Sequence, residues 1–208
     1  MMVHRPRKAP AAERNRTAIL DVLQRVLPPT GTVLEVSSGT GQHAAFFTPE
    51  LAPRRWQPSE FDQALIGSIE DWCQRTDSAR LLPPVELDAS DPVWPVEVTP
   101  PEFPISAIVN INMIHIAPWT AALGLLAGAG RILPPGGFLY LYGPYRRGGV
   151  HTVPSNEDFD RSLQARDPQW GVRDLDDVEA AARAEGLVLD QVIEMPVNNL
   201  SVVFRKTG

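Results

Sequence analysis

Polar and acidic side chains stand at the points where several apolar segments of this chain end. Two glycines, Gly39 and Gly41, follow the first such segment, Glu60 ends the second and Asp88 ends the third. If these segments are parallel strands, their carboxyl ends meet at one edge of a sheet, where ligands bind. A carboxylate after the second strand can accept hydrogen bonds from both ribose hydroxyls, and a polar side chain after the third can reach an adenine amino group. The spacing predicts a site for a nucleoside-containing cofactor.

The turn that contains the two glycines is the centre of this predicted site. Residues 32–36 form a β-prone apolar segment, residues 38–41 cannot continue a strand, and a helix is expected from Gln42. The N-terminus of a helix presents backbone N–H groups to a ligand, and glycines let the ligand approach without meeting a Cβ. Taken alone, the stretch is equally typical of an ordinary strand-to-helix turn with incidental glycines.

The glycines alone do not decide the class of cofactor. Gly39, Gly41 and Ala44 match G-x-G-x-x-A, which also occurs in nicotinamide dinucleotide sites, so an NAD(P)-binding Rossmann oxidoreductase stays the alternative. A dinucleotide needs a second nucleotide-binding half, which the pattern lacks. S-adenosylmethionine has no phosphate and occupies one half of such a sheet. The Pro-Pro-Gly-Gly turn at residues 134–137 and the C-terminal hairpin also favour it.

The hydrophobic periodicity predicts the elements that position these residues. Helices are expected over residues 11–27, 42–51, 62–76, 118–130, 155–166 and 174–185, and strands over residues 32–36, 55–60, 84–88, 105–111, 133–143 with its leading turn, 187–195 and 200–205. Four residues join the last two strands, too few for a helical crossover, so that pair is antiparallel. The expected fold class is α/β, with a Rossmann-like, doubly wound, mostly parallel seven-stranded sheet, an antiparallel C-terminal hairpin and helices on both faces.

The composition excludes several classes of function. A chain of 208 residues with 43% hydrophobic and 21% charged residues fits one globular domain. No apolar run approaches the roughly 20 residues that span a bilayer, and a net charge of −6 argues against nucleic-acid binding. The single Cys73 excludes an internal disulfide and suits a reducing cytoplasm. We expect a basic N-terminal tail at residues 1–10, one domain over residues 11–208, a cytoplasmic location, and a monomer or homodimer.

Taken together, these motifs resemble those of class I S-adenosylmethionine-dependent methyltransferases. The pattern consists of Glu35, Ser37, Gly39, Thr40, Gly41, Glu60, Asp88, Asn112 and residues 133–137. More narrowly, nearly the whole chain from Pro10 resembles a small methyltransferase-like family long filed as a domain of unknown function. The matching stretches are residues 10–15, 38–43, 56–59, 87–91, 112–116, 142–145, 155–156, 159–160, 166–168 and 198–200. As a set, these stretches are specific.

The resemblance implies which residues bind each part of the cofactor. Gly39, Gly41 and Gln42 would lie near its methionine portion, Glu60 would bind the ribose, and Asp88 would lie near the adenine. The full set of predicted cofactor-binding residues is Arg14, Asn15, Glu35, Ser37, Gly39, Gly41, Gln42, Glu60, Asp88 and Asn112. No metal is expected at this site.

The resemblance also assigns a role to two residues near the N-terminus, and the chain departs from the family pattern at two positions. Arg14 or Asn15 would bind the cofactor's carboxylate. Ser37 stands where the broad family has glycine, and we expect it to keep an ordinary negative φ. Glu60 stands where the narrower family usually has aspartate, and its longer side chain should still reach a ribose.

The expected reaction is an in-line displacement of a methyl group from a sulfonium, which needs no metal. A general base is needed only if the acceptor must lose a proton. The predicted catalytic residues are His115 as the base, Asn112 on the same turn, and Tyr145 in the wall of the acceptor pocket. For His115 the alternative is a structural role, and for Tyr145 it is packing in a half-buried loop. The N-terminal helix and the loop 143–156 favour a small-molecule acceptor, and a regulatory protein that binds S-adenosylmethionine without turnover stays open.

Overall fold

The computed structural model describes residues 6–208, so the part of the predicted tail at residues 1–5 lies outside the described residues. The strands are β1 (Thr32–Glu35), β2 (Arg55–Glu60), β3 (Val85–Glu86), β4 (Ile105–Ile111), β5 (Phe138–Gly143), β6 (Arg146–Arg147), β7 (Val150–His151), β8 (Leu187–Met195) and β9 (Asn199–Lys206). Seven of them form one sheet in the order β3-β2-β1-β4-β5-β9-β8, and β6 pairs with β7. Strands β1 to β5 are parallel, whereas β9 is antiparallel to both β5 and β8. The predicted fold class is confirmed.

Helices cover both faces of this sheet. They are α1 (Pro10–Val26), α2 (Gln42–Glu50), α3 (Gln63–Arg75), α4 (Pro95–Val98), α5 (Trp119–Ile132), α6 (Pro154–Gln164) and α7 (Leu175–Ala184). Within β1, Leu34 packs into the same core as Leu125 of α5 and residues of α7. The neighbouring Val33 points the other way, into a core with Leu23 of α1 and Phe47 of α2. The continuous apolar sequence of a central parallel strand follows from this burial on both faces.

Helix α5 is longer than predicted because of how two of its glycines pack. The sequence interpretation ended this helix at Gly130, but it continues to Ile132. Gly128 lies against the ring of Trp94, and Gly130 lies against the backbone of Glu185. Any side chain at these two positions would collide with those neighbours, so the glycines permit close packing inside the helix. The expectation that they end the helix was wrong.

The parallel register brings the ends of three neighbouring strands to one edge of the sheet. Glu35, the last residue of β1, lies opposite Pro58 of β2 and Val109 of β4. The segments that follow these strands are therefore close in space, as expected for a ligand-binding edge. None of the helices in residues 6–208 combines the length and apolar character that crossing a membrane requires.

Candidate functional site

The glycine turn, which we define as residues 37–41, joins β1 to α2 through three residues with positive φ. Ser37 has φ 59°, Gly39 has φ 57° and Gly41 has φ 86°. Ser38 closes the turn: its N–H donates to a β2 carbonyl at 2.8 Å, and its own carbonyl accepts from the Gly41 N–H at 3.0 Å. The expectation of a negative φ at Ser37 was wrong, because the chain leaves β1 in the left-handed region. That conformation costs a residue other than glycine about 1–2 kcal/mol.

Glu35 is buried directly beside the glycine turn. Its carboxyl group accepts hydrogen bonds from Ser38 Oγ at 2.9 Å and from the indole N–H of Trp56 at 3.0 Å. Burial raises the pKa of Glu35 to about 7, against the lowering effect of these two donors. The structure thus places this predicted cofactor-binding residue among protein partners. Its effect on a bound molecule would act through the turn.

Glu60 connects the end of β2 to the glycine turn. One carboxylate oxygen accepts from Gly39 N–H at 2.8 Å, and the other accepts from the N–H groups of Phe61 at 3.0 Å and Asp62 at 3.3 Å. Burial raises the pKa of this carboxyl group, and the backbone donors partly offset the effect. A carboxylate has about four acceptor positions, so the three bonds leave about one for a ligand hydroxyl. The extra methylene of glutamate allows this reach across to Gly39.

Phe61 is a residue of the candidate site that the sequence interpretation missed. Its ring is 61% exposed and follows Glu60 directly. Phe61 and Asp88 line one cavity of about 590 Å³ beside β3. One oxygen of Asp88 accepts from the backbone N–H of Ser90 at 2.8 Å, which leaves its second oxygen for a ligand. The sequence did contain a signal for this residue: an aromatic side chain directly follows the acidic residue that ends β2, and its ring can offer a flat surface to a ligand.

Residues 6–9, part of the predicted tail, contact the domain beside the glycine turn. The N–H of Arg7 donates to Ser68 Oγ at 2.8 Å, and the indole N–H of Trp72 donates to the Arg7 carbonyl at 3.2 Å. Ser68 Oγ in turn donates to the carbonyl of Thr40 at 2.9 Å. A chain of hydrogen bonds therefore links the N-terminal segment, α3 and the glycine turn.

The first turn of α2 is also tied to the N-terminal part of the chain. Gln42 is buried, and its side-chain oxygen accepts from the N–H of Ala9. Asn15 Oδ1 lies 2.9 Å from Nε2 of His43. Burial lowers the pKa of His43 to about 4, so this ring is neutral at neutral pH and donates its Nε2 proton to Asn15. In the structure, Gln42 thus contacts the N-terminal segment at the place where the resemblance puts the cofactor's methionine portion.

A second cavity lies at the carboxyl ends of β4 and β5, and we name it the β4–β5 cavity. It has a volume of about 470 Å³, and its walls come from α1, α6, the ends of β4 and β5, and residues 196–199. Three predicted site residues, Arg14, Asn15 and Asn112, line it together. Asn112 has φ 67°, and its N–H donates to the carbonyl of Tyr142 at 2.8 Å. The structure therefore brings residues from distant parts of the sequence to one opening.

The structure does not bring His115 and Tyr145 to the wall of the β4–β5 cavity. The His115 ring is fully buried, its Nδ1 accepts from the Arg173 N–H at 3.3 Å, and its Nε2 faces Gly143. Burial, with a contribution from Arg173, lowers its pKa to about 3. The ring of Tyr145 packs edge-on at 5.0 Å from that of His115, and burial raises its pKa. These contacts favour the structural role for His115 and correct the expectation that Tyr145 lines the acceptor pocket.

A comparison with known protein families identifies the chain. Residues 6–206 match the family model described as “Protein of unknown function (DUF938)”. The chain belongs to this family. The match includes the N-terminal segment that contacts Ser68 and Gln42 as well as both cavities.

Several solved structures with the same fold are described as methyltransferases. CalO1, a methyltransferase in calicheamicin biosynthesis in its SAH-bound form, aligns with a TM-score of 0.70, 17% identity, and coverage of 95% of this chain and 55% of CalO1. An O-methyltransferase family protein from Burkholderia thailandensis aligns with a TM-score of 0.78 and 13% identity, and the alignment covers 95% of this chain and 58% of that protein. Human N-acetylserotonin methyltransferase in complex with SAM aligns with a TM-score of 0.74 and 13% identity, and the alignment covers 95% of this chain and 53% of that protein. This chain thus spans little more than half the length of these neighbours, and at such identities the likeness shows the fold alone.

The site of this DUF938 member therefore has two parts along one sheet edge. The glycine turn, Glu60, Phe61 and Asp88 form the part at β1 to β3. Arg14, Asn15 and Asn112 belong to the β4–β5 cavity. The remaining predicted residues lie in the protein interior, where they support the turn or pack behind the cavity: Glu35, Gln42, His115 and Tyr145.

Proposed function

We propose that this protein is an S-adenosylmethionine-dependent methyltransferase that acts on a small molecule. The observation that carries the proposal is the open face of the glycine turn, at the same sheet edge as the β4–β5 cavity. A Cβ built on Gly39 meets no atom within 4 Å, although Gly39 is tied to Glu60 by its N–H. A ligand can therefore approach the backbone at this glycine. The methyltransferase fold of the neighbours supports the same assignment.

The residues at β1 to β3 fit the nucleoside part of this cofactor. Glu60 retains about one acceptor position for a ribose hydroxyl, so we expect one strong hydrogen bond there and not two. The exposed ring of Phe61 offers a flat surface for the adenine, and the free oxygen of Asp88 can accept from the adenine amino group. When bound, S-adenosylmethionine supplies a methyl group on a positively charged sulfur.

The chain's contribution to the reaction is orientation and exclusion of water. The N-terminal segment and α1 contact the helices beside the glycine turn, through the bonds of Arg7 to Ser68, Ala9 to Gln42 and Asn15 to His43. Methyl transfer by in-line displacement depends on such alignment of the acceptor with the methyl group, and it needs no metal ion. The proposed site thus places the cofactor at the glycine turn and the acceptor in the β4–β5 cavity.

Calorimetry with S-adenosylhomocysteine and with NADH tests this proposal. We expect a micromolar Kd for S-adenosylhomocysteine, at least tenfold weaker in Glu60→Ala, and no binding of NADH. Glu50→Ala is the matched control, because Glu50 is an exposed glutamate at the end of α2. Binding of NADH instead would establish the oxidoreductase alternative and refute the proposal.

Turnover is tested by incubation of the protein with tritiated methyl donor and a metabolite extract. The proposal expects a labelled small molecule that depends on the protein and disappears in Glu60→Ala. If S-adenosylmethionine binds but no molecule in the extract becomes labelled, the protein is a binding protein without turnover and the enzymatic part of the proposal fails.

A further inference from the structure

The β4–β5 cavity has an unusual distribution of charge. Among the described residues that line it, Arg14 is the one charged side chain, and none is Asp, Glu, Lys or His. Burial raises the pKa of Tyr142, so its phenol is neutral. Within the described part of the chain Arg14 forms no ion pair, whereas Arg16 on the same helix pairs with Glu13 at 3.7 Å. The cavity therefore offers one cation to a ligand and no anion.

The walls around this cation are largely apolar. Ile116, Phe159 and Val197 each expose part of their side chain at the cavity, and Pro144 and Pro196 complete the apolar surface. A volume of about 470 Å³ lies in the range of sites for small ligands. The lining also contains the amides of Asn15, Asn112 and Asn156, which are polar and uncharged. A molecule with an apolar body and a single anionic group matches this surface.

Among residues 6–208, neither His43 nor His115 is placed to remove a proton from an acceptor in the cavity. His115 is fully buried behind the wall, and His43 is bonded to Asn15. Burial lowers the pKa of both rings, which makes them weak bases. A hydroxyl or ammonium acceptor must lose a proton during methyl transfer, and neither histidine is available to accept it. An acceptor that is already an anion needs no base.

We propose that the β4–β5 cavity binds a small amphipathic carboxylic acid, with its carboxylate at Arg14 and its apolar body against Phe159 and Ile116. This inference rests on the proposed function, under which the carboxylate is the methyl acceptor. An oxygen of the carboxylate donates an electron pair to the methyl carbon, and the carbon–sulfur bond breaks with its electron pair going to sulfur. The products are a methyl ester and S-adenosylhomocysteine, and no proton moves.

The test compares three probes that share one ring system and differ in charge: 2-naphthoate, 2-naphthamide and 2-naphthylmethylammonium. Binding to the full chain is measured by calorimetry at low ionic strength, because Arg14 is exposed to solvent and salt screens its charge. We expect 2-naphthoate to bind at least tenfold more tightly than the other two. Arg14→Gln should abolish this preference, and Arg16→Gln should keep it.

Three outcomes would overturn the inference: equal affinities for the probes, tightest binding of the ammonium probe, or no binding of any probe at millimolar concentration. The affinity for S-adenosylhomocysteine in Arg14→Gln is the fourth measurement. If it falls tenfold, Arg14 binds the cofactor's carboxylate and the inference fails. If it stays within twofold of the unsubstituted protein, the inference is supported.

The same experiment separates this inference from the proposed function. A protein that prefers 2-naphthoate through Arg14 but does not bind S-adenosylhomocysteine would refute the proposed function and support the ligand class of the cavity. A protein that binds S-adenosylhomocysteine normally and shows no preference among the probes would refute the inference alone.

Discussion

The buried carboxyl group of Glu35 makes the stability of this protein depend on pH near neutrality. Burial raises its pKa from 4.5 to about 7, so the folded state binds the proton more tightly than the unfolded state. The resulting stability is fully present below pH 4.5 and is lost as the pH rises through 7. Glu35→Gln removes the titration and keeps a side-chain oxygen that can accept from Trp56 and Ser38.

The magnitude follows from the two pKa values. A rise from 4.5 to about 7 corresponds to about 3 kcal/mol in total, most of which is lost between pH 5 and pH 8. Burial also raises the pKa of Glu60, but Glu60 is present in both proteins. The difference between the unsubstituted protein and Glu35→Gln therefore measures the contribution of the Glu35 carboxyl group, including its charge interaction with Glu60.

Urea unfolding at pH 5 and at pH 8 measures this difference. We expect the stability of the unsubstituted protein relative to Glu35→Gln to fall by about 2–3 kcal/mol between the two pH values. Glu50→Gln, a substitution of an exposed glutamate, should show no such change. A relative change below about 0.5 kcal/mol in Glu35→Gln would show that the carboxyl group is not desolvated in solution, and would refute the reasoning.

Three further substitutions test the local structure. Ser37→Gly should raise the free energy of unfolding by up to about 1 kcal/mol, because glycine adopts the positive φ without strain; a loss of stability in urea unfolding would contradict the left-handed turn. Gly128→Ala should lower the melting temperature by an amount equivalent to about 1–3 kcal/mol, because the added methyl group would meet the ring of Trp94. Gly67→Ala is the control: the space around Gly67 is open, so this substitution should be neutral or stabilising. Ser68→Ala should speed tryptic cleavage after Arg7 several-fold, because it removes the acceptor of the Arg7 N–H; unchanged cleavage would mean that this bond does not restrain the segment.

Much of the fold follows directly from local sequence. The strands β2 and β4 were predicted with the bounds that the structure shows: β4 is a nearly continuous apolar segment, and β2 lies between the loop at Pro53 and the helix that follows Asp62. The C-terminal end of α5 was not predicted correctly, because the role of Gly128 depends on the ring of Trp94, which lies outside this helix. The local sequence pattern predicts that a helix forms, but the role of a glycine within that helix depends on the residues that pack against it.

The candidate site was predictable in position and less so in detail. Glu60 was expected at the end of β2, but its bond to the Gly39 N–H depends on a distance between two turns that no local pattern contains. His115 was chosen for its residue type at a strand end. Its burial depends on Gly171, whose N–H donates to the His115 carbonyl at 2.9 Å, and on the neighbouring Arg173. The spacing of motifs in the sequence does not predict such contacts between distant parts of the chain.

The division of the site between separate chain segments has a consequence for protein engineering. The walls of the β4–β5 cavity include α6 and residues 196–199, which carry none of the residues assigned to the nucleoside. These wall positions can be randomised in a library while the glycine turn, Glu60 and Phe61 stay fixed. Under the proposed function, selection on such a library would change acceptor preference independently of affinity for the methyl donor, and the same independence would let related chains diversify their substrates by substitution in these two segments.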